Sequence, residues 1–225
     1  MAAVRKILFT VVSLFFTLNG EAYAMNGPLT RPEASSGVLS PAQIQTEFKK
    51  FEKPSKLSGQ FEQKKKIKEL DVTIETSGLY EIKKFSSTQM NLIWKIQKPD
   101  PMTVCMSEEA VVIDNPRIKK KTTLKLSEIS QQDSSGLTKL VNLIKMNPEM
   151  LAKDFTILKK DGHFLVTPNV DKGYQFSTAD LQLDKQKNIQ HLLLTEASGD
   201  TLEIFFKSAI ETPLSISQAR PVGCL

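Results

Sequence analysis

The sequence predicts an α+β fold that is mainly β: a long antiparallel sheet, apolar on one face, with short helices laid against that face. Three observations carry this. Several stretches alternate apolar and polar residues with a period of two, turn signals separate them, and the helical signals are short and set apart.

The chain starts with an address rather than a fold element. Arg5 and Lys6 precede an apolar stretch, Ile7 to Leu18, that is too short for a stable bilayer span. Ala22-Tyr23-Ala24 then places small residues where a signal peptidase reads them, so residues 1–24 are expected to be removed after Ala24. No cysteine follows the apolar stretch to take a lipid anchor, and no later stretch is long and apolar enough to cross a membrane. Residues 25–39, rich in Gly, Pro and Ser, read as a flexible leader, and residues 40–225 as one domain with a substantial interior.

A helix start is written at Ser40. Its side chain can cap, Pro41 suits the first helical position, and Gln43 completes a capping box. Ile44, Phe48 and Phe51 then recur on one face until Pro54 stops the helix. From Leu57 the period becomes two. Leu57, Gly59 and Phe61 share one face, as do Val72, Ile74, Thr76, Gly78, Tyr80 and Ile82, with Leu79 breaking the pattern, and as do Leu92, Trp94 and Ile96. Met102, Val104 and Met106 continue this, with Cys105 on the opposite face. Helical stripes return at Leu137, Leu140, Val141 and Ile144 and, after Asn147-Pro148, at Met150 and Leu151. A hairpin follows around Asp161-Gly162, joining Phe155–Lys159 to His163–Thr167. Three more strands are expected near Tyr174–Leu183, Ile189–Glu196 and Thr201–Lys207.

Composition excludes more than it selects. A net charge of +5, from 30 basic and 25 acidic residues, without interleaved aromatics gives no nucleic-acid surface; a solvated lysine-rich face accounts for it, with weak attraction to anionic headgroups as the alternative. His163 and His191 are the only histidines, both in strands and neither at metal-ligand spacing, so no metal site is expected. Phosphate loops, nucleophile elbows and paired-carboxylate motifs are absent. A Cys105/His191 pair or a serine in a lipid-processing enzyme is the only catalytic alternative. Cys105 and Cys224 form an even count, consistent with a disulfide in an exported protein. The inward set favours aromatics and methionine, notably Phe61, Tyr80, Trp94, Met102, Met106, Phe164, Phe176 and Phe206. Methionine repacks easily, which suits a surface that accepts and releases flexible chains.

Several segments, in order, resemble the LolA-type periplasmic lipoprotein carriers of Gram-negative bacteria. Leu57-Ser-Gly-Gln-Phe-Glu-Gln-Lys64 looks like the family's first strand. Gly78-Leu79-Tyr80, Lys83-Lys84, Leu92-Ile93-Trp94 and Lys98-Pro99-Asp100 follow its order of strand, basic residues, Trp and turn. Gly162-His163-Phe164-Leu165-Val166-Thr167-Pro168 and the strand Ile189–Glu196 fit its later part. The resemblance implies an incomplete, half-open antiparallel β-barrel with a lid of short α-helices over an apolar concavity. It also implies a periplasmic monomer without cofactor or reaction. Such a carrier takes the acyl chains of a lipidated cargo from an inner-membrane exporter to an outer-membrane acceptor; a sensing module acting through a membrane partner is the alternative. The wall would be Phe61, Tyr80, Ile82, Trp94, Ile96, Met102, Met106, Phe164, Val166 and Phe206. Ile44, Phe48, Leu140, Val141 and Ile144 would form the lid, with Lys83 and Lys84 at the rim, where the family carries a lid-fastening arginine. Here Phe85 follows in place of the usual Pro, the stretch to Trp94 is longer, and a cysteine pair is added.

Overall fold

Alternation alone does not curl a sheet; two glycines at bulges do that here. The computed structural model describes residues 37–86, 89–125, 143, 145–169, 174 and 176–214. The expected signal peptide, most of the leader, the lid residues Leu140, Val141 and Ile144, and Cys224 lie outside these. In chain order the elements are α1 (Pro41–Phe48), a 3-10 turn (Lys49–Glu52), β1 (Ser55–Ile67), β2 (Val72–Lys84), β3 (Met90–Lys98), β4 (Met102–Met106), β5 (Ala110–Asn115) and β6 (Lys120–Lys125). There follow α2 (Pro148–Asp154), β7 (Phe155–Lys160), β8 (His163–Pro168), β9 (Phe176–Leu183), β10 (Ile189–Glu196) and β11 (Thr201–Pro213). Among the described residues all 11 strands form one antiparallel sheet, ordered β6-β5-β4-β3-β2-β1-β11-β10-β9-β8-β7. It is not closed, and with the helices it makes the expected half-open barrel under a lid.

Local signals set the elements. Ser40 caps α1, with the reciprocal bonds of a capping box to Gln43. Asn147 caps α2 by accepting from the Met150 backbone N–H at 3.0 Å. The β7–β8 turn places Asp161 at φ 50° and Gly162 at φ 82°, the left-handed pair that a two-residue hairpin needs.

The long strands β1 and β2 meet in register, Phe61 opposite Gly78 and Gly59 opposite Tyr80. Register shifts fall between Ser58 and Gln60 on β1 and between Ser77 and Gly78 on β2. A Cβ at Gly78 would lie 1.9 Å from the Lys95 carbonyl oxygen, and one at Gly59 would lie 2.6 Å from that of Lys207. Each glycine therefore permits a backbone approach that any side chain would block, and the bulge bends the strand. Gly78→Ala is expected to cost about 1–3 kcal/mol, read as a lower urea midpoint at unchanged slope.

Two findings depart from the alternation. β5 is buried at Val111, Val112 and Ile113 in succession, because Val112 packs with Cys105 and Ile93 on the convex side while its neighbours face inward. A strand apolar on both faces carries no period-two signal. Gly37 to Leu39, expected as the end of a flexible leader, instead pairs with the exposed edge of β7: Lys159 N–H donates to the Gly37 carbonyl and Leu39 N–H to that of Ile157, both at 2.8–2.9 Å. An edge strand offers unpaired backbone groups to any nearby chain, whatever its composition.

Candidate functional site

The pleat decides which residues meet. On β1 the inward positions are Phe61, Gln63 and Lys65; on β2 they are Thr76, Gly78, Tyr80, Ile82 and Lys84. On β3 they are Leu92, Trp94 and Ile96, and on β4 Met102, Val104 and Met106. All ten residues expected as wall lie on this concave face and are at most 9% exposed. Their middle is aromatic. The Phe61 and Trp94 ring centroids are 4.1 Å apart, and Phe206 meets Tyr80 and Trp94 edge-on at 5.1 and 5.9 Å. Gly59 makes room for this, since a Cβ there would lie 2.9 Å from the Tyr80 ring.

The face is covered. Ile44 and Phe48 of α1, Leu151 of α2, and Leu143 and Met146 between β6 and α2 are buried in the same apolar cluster as the wall. Phe48 lies 5.1 Å from Phe164, centroid to centroid. The two described lid candidates, Ile44 and Phe48, thus fill the concavity with their own side chains; a ligand reaches the wall only if helices leave it. Leu143, which falls off the expected stripe, is only 1% exposed.

The two rim lysines separate by the parity of the strand. Lys83 points to the convex side, where it and Lys56 bind Glu81 at 3.1 and 2.7 Å. Burial pushes the Glu81 carboxyl up, but the two lysines outweigh it and hold the group below its usual range. Lys84 points inward, at 6% exposure. Its Nζ donates to the backbone carbonyl of Lys145, in the helical residues leading to α2, and sits 5.7 Å from the Phe51 ring centroid. Burial, helped by the Lys145 charge and opposed by that of Glu52, lowers Lys84 to about 8. Lys145 in turn bonds Glu108 at 2.9 Å, and Glu108 accepts from the Met90 N–H at 3.3 Å. One chain of polar contacts therefore ties β2, the helical cover, the β4–β5 turn and β3. A lysine at the end of an inward row was legible from the alternation with Tyr80 and Ile82; its partner was not.

At the other end of the same rows sits a group that the sequence reading missed. Lys65, fully buried, donates to Glu196 across the curl of the sheet. Burial raises the Glu196 carboxyl against the pull of Lys65, with Asp200 adding to the rise. Parity with Phe61 would have placed Lys65 inward, but Glu196 lies 131 residues away.

The Cys105/His191 pair is not assembled. Cys105 is disulfide-bonded on β4, and the chain holds two cysteines in all. His191 lies on β10, with four strands between it and β4, 3.0 Å from Glu203. His163 is 3.0 Å from Asp180 on the strand beside it. Among the described residues no cluster of His, Cys, Asp and Glu could hold a metal, and no helix is long and apolar enough to cross a membrane.

Comparison with known proteins bears on this geometry. The family model described as outer membrane lipoprotein carrier protein LolA matches residues 52–216. No curated protein matches the chain in sequence. Among solved structures, a chain of the Pseudomonas aeruginosa MucA/MucB complex is similar at 12% identity and TM-score 0.44, covering 81% of this chain and 61% of that one. This chain therefore spans about three fifths of that relative's length. A putative outer membrane lipoprotein-sorting protein domain from Vibrio parahaemolyticus is similar at 11% identity and TM-score 0.45, covering 79% and 94%. A LolA superfamily protein from Nitrosomonas europaea is similar at 9% identity and TM-score 0.39, covering 81% and 98%. Likenesses this loose assign nothing to the chain.

Proposed function

The chain belongs to the LolA family, outer membrane lipoprotein carrier proteins, and from that premise we propose that it is an exported carrier for acylated cargo. It buries the acyl chains of a lipoprotein or other lipid-linked molecule between the concave sheet and the helices. It carries them through the periplasm from an inner-membrane exporter to an outer-membrane acceptor. It binds; it does not catalyse.

The observation that supports this is the construction of the cover. The apolar face is closed by short helices held at a few polar points: the desolvated Lys84 bonded to the segment before α2, and, from α1 and the 3-10 turn, Glu47 with Lys159 and Lys187 and Lys50 with Glu211. Each buried methylene is worth about 0.8 kcal/mol, so one long acyl chain resists water by roughly 10 kcal/mol. Helices that cover the face with Phe48, Leu143 and Leu151 offer comparable burial when empty, so exchanging them for cargo is close to balanced. A balanced exchange is what loading and release both require, because each 1.4 kcal/mol shifts the partition about tenfold.

The test starts from protein purified out of the periplasm of cells that export it. Organic extracts analysed by mass spectrometry are expected to contain acyl lipid, and the emptied protein to bind N-phenyl-1-naphthylamine with a change in the emission of Trp94, its single tryptophan. Clean extracts together with no probe binding would remove the proposal. Transfer of bound lipid to outer-membrane vesicles separates a carrier from a sensing module, which would keep its ligand.

A further inference from the structure

Among the described residues, four buried side-chain polar atoms have no hydrogen-bond partner: Gln63 Oε1, Thr76 Oγ1, Tyr80 Oη and Trp94 Nε1. The four residues are at most 4% exposed. They are not scattered. All stand on the concave face of the neighbouring strands β1, β2 and β3, Gln63 opposite Thr76 and Tyr80 opposite Trp94. Other buried polar groups are matched: Lys65 by Glu196, Lys84 by the Lys145 carbonyl, and Asn188 by Asp184 and Lys50. An unmade buried hydrogen bond costs about 1–3 kcal/mol, and folded proteins keep few of them. A group of four on the face assigned to cargo calls for a ligand.

We propose that these atoms recognise the polar linkage of the cargo: Tyr80 and Trp94 donate to an ester or amide carbonyl, and Gln63 and Thr76 meet a hydroxyl or amide N–H farther along the same molecule. The chemistry follows the atoms. An indole N–H only donates, and a carbonyl is the acceptor that an acyl chain always brings with it when it is esterified or amidated. Burial, with the charge of Asp184, pushes the Tyr80 phenol up to about 12, so its proton stays in place throughout the physiological range. The Tyr80 ring is held by Phe206 and Trp94 and lies across Gly59, where a Cβ would sit 3.0 Å from Oη. Thr76 and Tyr80 are separated by four residues of β2, or about 13 Å of strand. A bare hydrocarbon satisfies none of the four atoms. The site therefore selects ester- or amide-linked amphiphiles over ether lipids and hydrocarbons of equal length.

This inference rests on the carrier reading, and the experiment separates the two. Affinities of the exported protein for 1-monopalmitoylglycerol and 1-O-hexadecylglycerol, which differ in the carbonyl, are measured by displacement of N-phenyl-1-naphthylamine. The ester is expected to bind about tenfold more tightly, as two added hydrogen bonds would give. Tyr80→Phe is expected to cut that ratio to about two, the loss falling on the ester, and to raise the thermal midpoint of the empty protein, since it removes a buried hydroxyl that has no partner in the protein. Thr76→Val is expected to narrow the preference for monopalmitoylglycerol over methyl palmitate, which lacks the hydroxyls. Equal binding of ester and ether by the unmodified protein, or a ratio indifferent to Tyr80→Phe, overturns the carbonyl assignment. A preference indifferent to Thr76→Val overturns the second pair. If neither glycerol probe binds at all, the carrier reading itself fails and this inference falls with it.

Discussion

Lys65→Met is expected to lower the unfolding free energy by about 3–5 kcal/mol at pH 8, because it strands a buried carboxylate. Lys65 is fully buried and the Glu196 side chain is 11% exposed, so little water reaches either. Glu196 already titrates above its ordinary value through burial, and Asp200 pushes the same way. Removing the ammonium withdraws the one pull in the other direction. The pH dependence follows from the sign. In the variant the native carboxyl holds its proton to higher pH than the unfolded one, so stability is present at low pH and lost as pH rises above about 4.5. The deficit should therefore shrink at pH 5. Lys65→Met with Glu196→Leu should recover most of the loss, since a packed apolar pair often matches a buried ionic one. Urea unfolding followed through Trp94 measures all three variants; a single mutant within 1 kcal/mol of the parent at pH 8 would show that the pair is not an electrostatic unit.

Lys84 gives the second large effect, with the opposite trend. Its folded pKa of about 8 lies below the ordinary 10.5, so below pH 8 the cover closes over an ammonium that water would hold better. The cost is roughly 3 kcal/mol. Between pH 8 and 10.5 the unfolded or uncovered lysine keeps its proton while the covered one has lost it, so stability and closure both rise with pH across that window. Lys84→Met should lack the rise, and the difference between the two pH profiles cancels the other lysines. Thermal midpoints from pH 7 to 10 test this, and parallel profiles would place Lys84 in water rather than under the cover. The same number explains how a latch can be weak at neutral pH. A guanidinium could fork to a second carbonyl, whereas the Lys84 ammonium is a point donor whose charge is covered at a desolvation cost.

The inward set was legible because burial on a strand is a local code. Phe61, Tyr80, Trp94 and Phe206 each occupy the inward phase of a period-two run, and the sheet brings them into ring contact. The capping box at Ser40 and the turn at Asp161-Gly162 were legible for the same reason: all their atoms lie within a few residues. Lys84 and Lys65 were half legible. Their phase places them inward, but a lysine in such a phase reads as a strand end until a partner is known, and the partners are the Lys145 backbone carbonyl and Glu196. The orphaned atoms on Gln63, Thr76, Tyr80 and Trp94 could not be read at all, since lacking a partner is a property of surroundings and not of a residue.

Taken alone, the sequence determined the mainly β class, the helix starts, the inward set and the family resemblance, because periodicity, caps and turns depend on neighbours a few bonds away. Only the tertiary structure decided that the concave face is filled by its own helices, that Lys84 and not Lys83 meets the cover, that Gly37 to Leu39 seals the β7 edge, and that an ion pair closes the far end. Those outcomes depend on which distant segments curl onto one another, and the glycine bulges at Gly59 and Gly78 set that curl through approaches no local pattern records.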